Sequence, residues 1–327
     1  MDRVPWVDNV KTLAIFLVIL GHFRGLDPTV KSLIYSFHIP VFLFITGFLL
    51  TSRINAVSFS DFLKKHVLPY TVVYLLFSAA AILFYVLNNI GDDMLSTIFK
   101  TIWGTLYGVH GSERALIHGN GPLWYFPFFL TTLVIMYFIV RLPTWLRWAA
   151  ALSYCAFSFL YSGIRLPWCL DIAGIGVLFC LIGYSFRIHY DVFKGVVESR
   201  WSLLLLPFLA TMLIFLVGVN GTTNVNKVMF GANGFIYIIN AVIGGLCLLI
   251  AAFNLPATKL SQNISMSTLT IFCCHIYLVK AFRTFPYPDD GVTKLFLMSY
   301  FAIVILMICL LFSVKFDPLL KRYILRR

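Results

Sequence analysis

The chain has 327 residues, of which 60% are hydrophobic and only 12% are charged, and its mean hydropathy is +0.90. A water-soluble fold cannot cover so much apolar surface with so few charges, so the composition excludes a soluble globular protein and indicates that lipid is the solvent. A net charge of +12 is also found in nucleic-acid-binding proteins, but here the distribution of the charges fits membrane topology, and no nucleic-acid partner is expected.

Ten apolar stretches are long enough to cross the hydrocarbon core as helices. They cover approximately residues 9–25, 32–51, 67–88, 123–140, 146–162, 168–186, 201–219, 235–253, 267–284 and 295–314. We therefore predict an all-α polytopic membrane protein forming a single transmembrane domain over residues 1–327. No small-residue cleavage site follows the first stretch, which is interpreted as a retained span and not as a signal peptide.

The distribution of Lys and Arg predicts the orientation of these spans. With the N-terminus in the cytoplasm, sixteen of the 25 Lys and Arg residues fall inside and nine fall outside. The inverted topology would reverse this bias, so the positive-inside rule favours cytoplasmic N- and C-termini and an even number of spans. The expected location is the inner (plasma) membrane of the cell, with the chain crossing the bilayer many times.

The longest connection, residues 92–122, does not fit the pattern of simple spans. Residues 94–109 are apolar but interrupted by Lys100 and Gly104, which favours an interfacial or re-entrant helix on the outer side. Whether this segment spans, re-enters or lies on the membrane is left open. The remaining residues of the connection are polar and contain glycine, the composition of an ordered external loop over a cavity.

The first span carries ionisable residues at membrane depth, which are costly there and indicate function. Lys11 and His22 are eleven positions apart, so on a helix they lie about 20° apart around the axis and about 16 Å apart along it. One face thus holds a cation at its inner end and an imidazole in its outer half, although two polar residues can share a face by chance. Asp8 stands beside Lys11 at the inner entrance, and Gly21 permits close approach of a helix or a ligand.

The second span contains a predicted polar break at His38. Pro40 cannot donate to the carbonyl of Ser36, so a kink with a free acceptor is expected, although kinks also serve packing alone. The short link over residues 24–31 makes the first two spans antiparallel neighbours. Both His22 and His38 are therefore expected in the outer half of the membrane.

The connection between the second and third spans is predicted to be a basic inner loop. It carries Arg53, Lys64, Lys65 and His66, and it ends in a Pro-Tyr pair at Tyr70. Such loops commonly anchor topology, but their cations also bind the phosphates of an anionic cytosolic ligand.

Aromatic residues and one further histidine complete the candidate positions. Trp124 and Tyr125 follow a turn signal at the entrance of the fourth span, where rings serve as interfacial anchors or stack on sugars. His275 lies in the middle of a span beside two thiols, but adjacent side chains do not readily share a metal, so hydrogen bonding inside the membrane is expected and no metal. The seven cysteines show neither disulfide nor zinc spacing and are interpreted as buried small hydrophobes.

Four segments of the sequence together resemble the membrane-bound acyltransferase family 3, which includes bacterial sugar O-acetyltransferases. WVDNVKTLAIFLVILGH is similar to the family's first helix, in which Arg or Lys precedes His by eleven positions, here Lys11 and His22. YSFHIPVFLFITGFLL resembles the Phe-His-Met-Pro-Leu-Phe-Phe-Phe-Ser-Gly form found in the branch of fucose O-acetylases. FLKKHVLPY and GPLWYFP resemble the basic loop and the Gly-Pro-Leu-Trp-Phe-Leu-Pro entrance of a later span. The chain departs from the family in having Lys11 where many members have Arg, and in lacking the full pair of arginines in the inner loop.

The resemblance implies an O-acetyltransferase that takes an acetyl or another short acyl group from cytosolic acyl-CoA to a hydroxyl of a cell-surface or lipid-linked glycan. The hypothesis assigns the CoA end to Lys11, Arg53, Lys64, Lys65, His66 and Tyr70. His22 is the general base or a transient acyl carrier, Asp8 positions Lys11, and His38 assists proton transfer or binds the acceptor. Trp124, Tyr125 and His275 are the remaining acceptor-binding candidates. The acceptor's identity and the oligomeric state stay open.

Two alternatives from other classes remain. A transporter or flippase for a glycan or small anionic solute predicts polar residues spread over several helices and a symmetric pathway. In this sequence the polar residues concentrate in the first two spans, which favours the enzyme. A membrane scaffold or receptor leaves the register of Lys11 and His22 unexplained.

Overall fold

The computed structural model describes residues 3–50, 52–88, 94–109, 121–197, 199 and 201–320. It is 82% helical, so the predicted all-α class is confirmed. The helices of the described residues are α1 Pro5–Gly21, α2 Pro28–Leu49, α3 Phe59–Phe62, α4 Leu68–Asn88, α5 Met94–Tyr107, α6 Tyr125–Ile139, α7 Thr144–Leu160, α8 Ala173–Ile188, α9 Tyr190–Val197, α10 Ser202–Asn220, α11 Gly234–Asn254, α12 Lys259–Ala281 and α13 Gly291–Leu320. Two short antiparallel strands, β1 Thr223–Asn224 and β2 Met229–Phe230, connect α10 to α11.

Eight helical segments of the described residues are long and apolar enough to cross a membrane. They are Pro28–Leu49, Phe59–Leu87, Gly121–Ile139, Pro167–Ile188, Ser202–Asn220, Gly234–Asn254, Lys259–Ala281 and Gly291–Leu320. Each overlaps one predicted span, and the two remaining predicted spans overlap α1 and α7, which have 17 residues each. A multi-pass membrane protein is thereby supported, while the count of ten spans stays a prediction.

By its internal contacts the chain divides into two compact units. The first unit comprises Met1–Ile45, Ile188–Asn224 and Met229–Pro318, and in it α1 packs mainly against α12 and α11. Nδ2 of Asn9 donates to the carbonyl oxygens of Ala252 and Leu255, at 3.0 and 2.9 Å. The ring of Trp6 stacks on Phe253, with centroids 4.7 Å apart. These contacts hold the start of α1 against the end of α11.

Helices α2 and α11 approach each other closely at Gly244. A Cβ at Gly244 would lie 2.3 Å from Cδ1 of Phe37, so only glycine leaves room for that ring. Asn9, near the start of α1, contacts Ala252 near the end of α11. Phe37 lies two residues after Tyr35, which contacts Gly21 at the end of α1, and it packs against Gly244, nearer the start of α11. Helices α1 and α11 therefore run antiparallel.

The second unit comprises Thr46–Arg187, Val225–Val228 and Leu319–Arg327. Its buried core includes Phe62, Leu133, Tyr137 and Tyr184. The guanidinium of Arg141 lies 3.4 Å above the ring of Tyr137 and donates to carbonyl oxygens of the segment that precedes α3. A buried aromatic core and backbone hydrogen bonds thus shape this unit.

The prediction that a loop connects the second and third spans is wrong in its secondary structure, because most of this connection is helical. Ser52–Ala56 forms a 3-10 turn, and α3 continues through a π-helical turn, Leu63–Val67, into α4. Ser58 is the N-cap of α3, because its Oγ accepts a hydrogen bond from the backbone N–H of Asp61. The acidic side chain of Asp61 lies three residues after this cap, as in a capping box. This capping signal, present in the printed sequence, explains why the helix begins well before the predicted start at residue 67.

Residues 94–107 form a helix, as expected, with an unusual distribution of side chains. Thr101 and Thr105 are buried against the protein, and the hydroxyl of Tyr74 donates to the Thr105 carbonyl at 2.8 Å. Leu95 and Phe99 are 80% and 79% exposed. A helix that hides its hydroxyls and presents large apolar side chains outward is suited to contact with lipid. The predicted external loop over 110–121 lies outside the described residues except for Gly121.

Candidate active site

His22 terminates α1 and is half-buried. It is the C-cap of the helix, and its backbone N–H points to the carbonyls of Ile19 and Leu20. The ring nitrogen Nδ1 lies 2.6 Å from the carbonyl oxygen of Val18, one turn earlier. Because a carbonyl oxygen only accepts, Nδ1 of the neutral ring must carry the proton and Nε2 must keep the lone pair. The tautomer assigned in this way presents a basic or nucleophilic nitrogen away from the helix.

His38 in α2 and His275 in α12 have the same local arrangement. Nδ1 of His38 lies 2.7 Å from the carbonyl of Ile34, and Nδ1 of His275 lies 2.8 Å from that of Phe272. Both rings are buried, with 6% and 0% exposure. The same argument assigns the Nδ1–H tautomer to both.

The three histidines come together in the first unit. The rings of His22 and His275 lie edge to face, with centroids 5.0 Å apart and an interplanar angle of 71°. His38 is linked indirectly to the end of α1, one residue before His22. The link passes through Tyr35, whose ring lies 5.1 Å from His38 and whose hydroxyl donates to the carbonyl of Gly21 at 3.1 Å.

The histidine cluster lies in a region of the chain that matches a known protein family. The model of the acyltransferase 3 family, described as an acyltransferase domain, matches residues 4–315, nearly the whole chain. The chain belongs to the acyltransferase 3 family. Comparison with curated proteins and with solved structures gave no match. This acyltransferase therefore carries its His22, His38 and His275 cluster inside the matched region.

At the other end of α1, the acyltransferase places a carboxylate and two cations. Nε of Arg3, a residue that the sequence analysis did not single out, donates to Oδ2 of Asp8 at 2.7 Å. A second Arg3 nitrogen donates to the carbonyl of Gln262 at 3.1 Å, tying the start of α1 to α12. Lys11 is partly buried three residues after Asp8, and α1 is continuous to Gly21, so its calculated register with His22 holds. The role of Asp8 in positioning Lys11 stays a prediction.

The predicted donor-binding cations belong to the second unit. Lys64 and Lys65 are exposed in the π-helical turn, and His66 packs its ring 5.4 Å from Phe62. Arg53 lies in the 3-10 turn, and its side chain lies outside the described part of the structure. A π-helical turn is rare and commonly accompanies a functional site. It displays two adjacent ammonium groups to solvent.

Tyr70 lies further along its helix than the sequence indicated, because the helix begins at Phe59. Eleven residues of helix separate Phe59 from Tyr70, about 16 Å at 1.5 Å per residue. The ring of Tyr70 meets Phe129 edge to face at 5.3 Å, and the ring of Tyr125 stacks on the same Phe129 at 5.8 Å. Trp124 lies 6.3 Å from Tyr125. The structure thus groups Tyr70 with the two predicted acceptor-binding aromatics.

The buried polar atoms of the first unit without hydrogen-bond partners among the described residues include Nε2 of His275 and both amide atoms of Asn240 in α11. The hydrogen bond from Asn9 to the Ala252 carbonyl fixes α1 against α11. Asn240 precedes Ala252 by twelve residues, and His22 follows Asn9 by thirteen. Because the two helices are antiparallel, Asn240 and His22 both lie about 20 Å from that hydrogen bond, in the same direction. Asn240 therefore lies at the depth of His22. A carboxamide in the middle of an apolar helix was the signal that the sequence analysis missed.

Among the described residues, no group of three or more His, Cys, Asp or Glu side chains is arranged to hold a metal ion. None of the seven cysteines, which all lie in the described part of the chain, forms a disulfide bond. Because Nδ1 of each ring is held by a backbone carbonyl, Nε2 is the nitrogen that each of the three imidazoles can use for general base or nucleophilic catalysis.

Proposed function

We propose that this acyltransferase moves an acetyl or another short acyl group from cytosolic acyl-CoA to a hydroxyl of a cell-surface or lipid-linked glycan, in the inner (plasma) membrane. The observation that carries the proposal is the geometry of His22 at the end of α1. Its Nδ1 is held by the Val18 carbonyl, which leaves Nε2 as the reactive nitrogen. The family match over residues 4–315 supports acyl transfer in general.

His22 acts in this proposal as a general base or as a transient acyl carrier. As a base, Nε2 takes the hydroxyl proton while the hydroxyl oxygen attacks the thioester carbonyl and the C–S bond breaks. The CoA thiolate leaves and receives the proton, so the imidazole is regenerated. As a carrier, Nε2 itself attacks the thioester and later yields the acyl group to the hydroxyl. His38 assists proton transfer or binds the acceptor.

The donor's phosphates are assigned to the exposed cations of the π-helical turn, Lys64 and Lys65, with Lys11 as the cation at the start of α1. Ammonium groups bind phosphate as point charges, and their exposure leaves them accessible to a soluble ligand. Trp124 and Tyr125 are assigned to the acceptor, because aromatic faces stack on sugar rings.

The test uses membranes that contain the full-length protein and acetyl-CoA labelled in the acetyl group. Label appearing in cell-surface glycan, identified by mass spectrometry, is the expected product. His22→Ala and His22→Gln should each lower the transfer by about 10²–10⁴-fold, the usual contribution of a catalytic base. His189→Gln is the matched control, because His189 is exposed between α8 and α9. Near-normal transfer by both His22 variants would overturn the assignment.

A further inference from the structure

His275 is a second imidazole next to His22 for which the proposed mechanism has no definite role. Its side chain is fully buried in α12, and Nδ1 lies 2.8 and 3.3 Å from the carbonyl oxygens of Phe272 and Ile271. Nε2 is buried without a hydrogen-bond partner among the described residues. A buried polar atom left unsatisfied is destabilising, so such an atom in a native structure requires an explanation.

The local geometry of His22 limits what that residue can do alone. Its Nδ1 is committed to the Val18 carbonyl, so Nε2 is the one nitrogen with an available lone pair. Once Nε2 carries an acyl group, His22 has no lone pair left to accept a proton. Transfer from an acyl-histidine to a hydroxyl, which is a weak nucleophile at neutral pH, then requires a different base.

We propose that His275 is this second base, and that acyl transfer proceeds in two steps through an acylated His22; the inference rests on the proposed function. The ring of His275 lies 5.0 Å from that of His22, centroid to centroid, close enough for both to contact one small substrate group. The unsatisfied Nε2 is then the acceptor for the hydroxyl proton. His275 thereby becomes a catalytic residue and not only a group that binds the acceptor.

In the first step, Nε2 of His22 attacks the thioester carbonyl carbon and the C–S bond breaks. The electron pair leaves with sulfur as the CoA thiolate, and His22 becomes an acyl-imidazolium that keeps its Nδ1 proton. In the second step, the hydroxyl oxygen attacks the acyl carbon while Nε2 of His275 takes the hydroxyl proton. The bond between Nε2 of His22 and the acyl carbon breaks, its electron pair returns to His22, and the His275 proton passes to the thiolate through solvent.

The experiment compares two nucleophiles that differ in their need for a base. The full-length protein in detergent is given acetyl-CoA and either glycerol, whose hydroxyls need deprotonation, or hydroxylamine, which attacks acyl-imidazoles without a base. Acetylglycerol and acetohydroxamate are quantified by mass spectrometry. The variant is His275→Asn, because its amide nitrogen occupies the place of Nδ1 and keeps a donor for the Phe272 carbonyl, whereas Nε2 is lost.

His275→Asn should lower acetylglycerol formation by about 10²–10⁴-fold and leave acetohydroxamate formation within a few-fold of the wild-type rate. The retained hydroxylamine reaction also shows that the variant is folded. An equal loss of both products would assign His275 a structural role and overturn the inference, as would unchanged formation of acetylglycerol.

Two further variants separate this inference from the proposed function. His22→Ala should abolish both products and sets the background of direct reaction between hydroxylamine and acetyl-CoA. If His22→Ala instead retained acetohydroxamate formation at the wild-type rate, the proposed function of His22 would fail, whatever the result for His275. The exposed His189→Asn is the matched control for the substitution and should leave both products unchanged.

Discussion

The ring of Tyr35 occupies the place of a side chain at Gly21, while its hydroxyl donates to the Gly21 carbonyl at 3.1 Å. A Cβ on residue 21 would lie 2.9 Å from Cε1 of Tyr35, a separation that real Cβ atoms do not show. The pair locks the end of α1 against α2, one residue before His22. The position of the proposed catalytic ring therefore depends on the absence of a side chain.

Gly21→Ala should destabilise the protein and reduce acyl transfer, because the added methyl displaces Tyr35. Overpacking of this kind costs about 1–3 kcal/mol. The measurement is the thermal midpoint in detergent together with the transfer rate. The matched control is Gly245→Ala, since its Cβ would lie 3.6 Å from Cγ2 of Val41, an ordinary contact. Equal tolerance of both alanines would contradict the packing argument.

Replacing Lys64 and Lys65 together by Gln should raise KM for acetyl-CoA several-fold and change kcat little. The two ammonium groups are exposed and are proposed to hold donor phosphates, an interaction that is uniform between ground and transition states. Initial rates should be measured with acetyl-CoA and with S-acetylpantetheine, which has no phosphate. The effect should vanish with the second donor, and Lys100→Gln on α5 should have none. An equal effect on both donors would refute phosphate binding.

Asn240→Leu should preserve or raise the thermal midpoint, because Leu matches the shape of Asn and removes two buried polar atoms without partners among the described residues. Its transfer rate should fall, since the amide lies at the depth of His22. Asn220→Leu provides the contrast. The Asn220 amide donates to the Phe230 carbonyl at 2.9 Å and accepts from the Asn233 N–H at 2.8 Å, so its loss should lower the midpoint. A fall in the midpoint for Asn240→Leu would contradict the prediction.

Asp171→Asn should destabilise the second unit strongly. Nε of Arg165 pairs with Oδ2 of Asp171, whose side chain is 1% exposed, and removing one charge leaves the guanidinium uncompensated. Breaking a buried pair costs about 3–5 kcal/mol. Thermal unfolding of the variant against Asp191→Asn, an exposed position in α9, measures the difference. If the thermal midpoint of Asp171→Asn fell as little as that of Asp191→Asn, the guanidinium of Arg165 would be satisfied without the carboxylate.

Features that depend on local sequence were predictable. The apolar stretches became helices, and of the helix expected over residues 94–109 the structure forms Met94–Tyr107. The register of Lys11 with His22 follows from the helical period alone. The start of α3 was missed because the apolar pattern begins later than the helix, although the Ser58 cap was readable as a signal.

The histidine cluster was predictable only in part. The short link between α1 and α2 was sufficient to bring His38 toward His22, since a tight connection makes two helices neighbours. His275 was singled out as a polar residue at membrane depth, but its contact with His22 was not. Asn240 was overlooked because a single amide in an apolar helix gives no pattern by itself.

The sequence by itself determined the lipid environment, the helical class and the register of Lys11 with His22 along α1. These features arise from composition and from contacts within one helix, which periodicity encodes directly. Only the tertiary structure decided that His275 lies beside His22, 253 positions earlier in the chain. That contact depends on how α12 packs against α1, and packing between distant helices is set by the fit of whole surfaces, not by any local pattern.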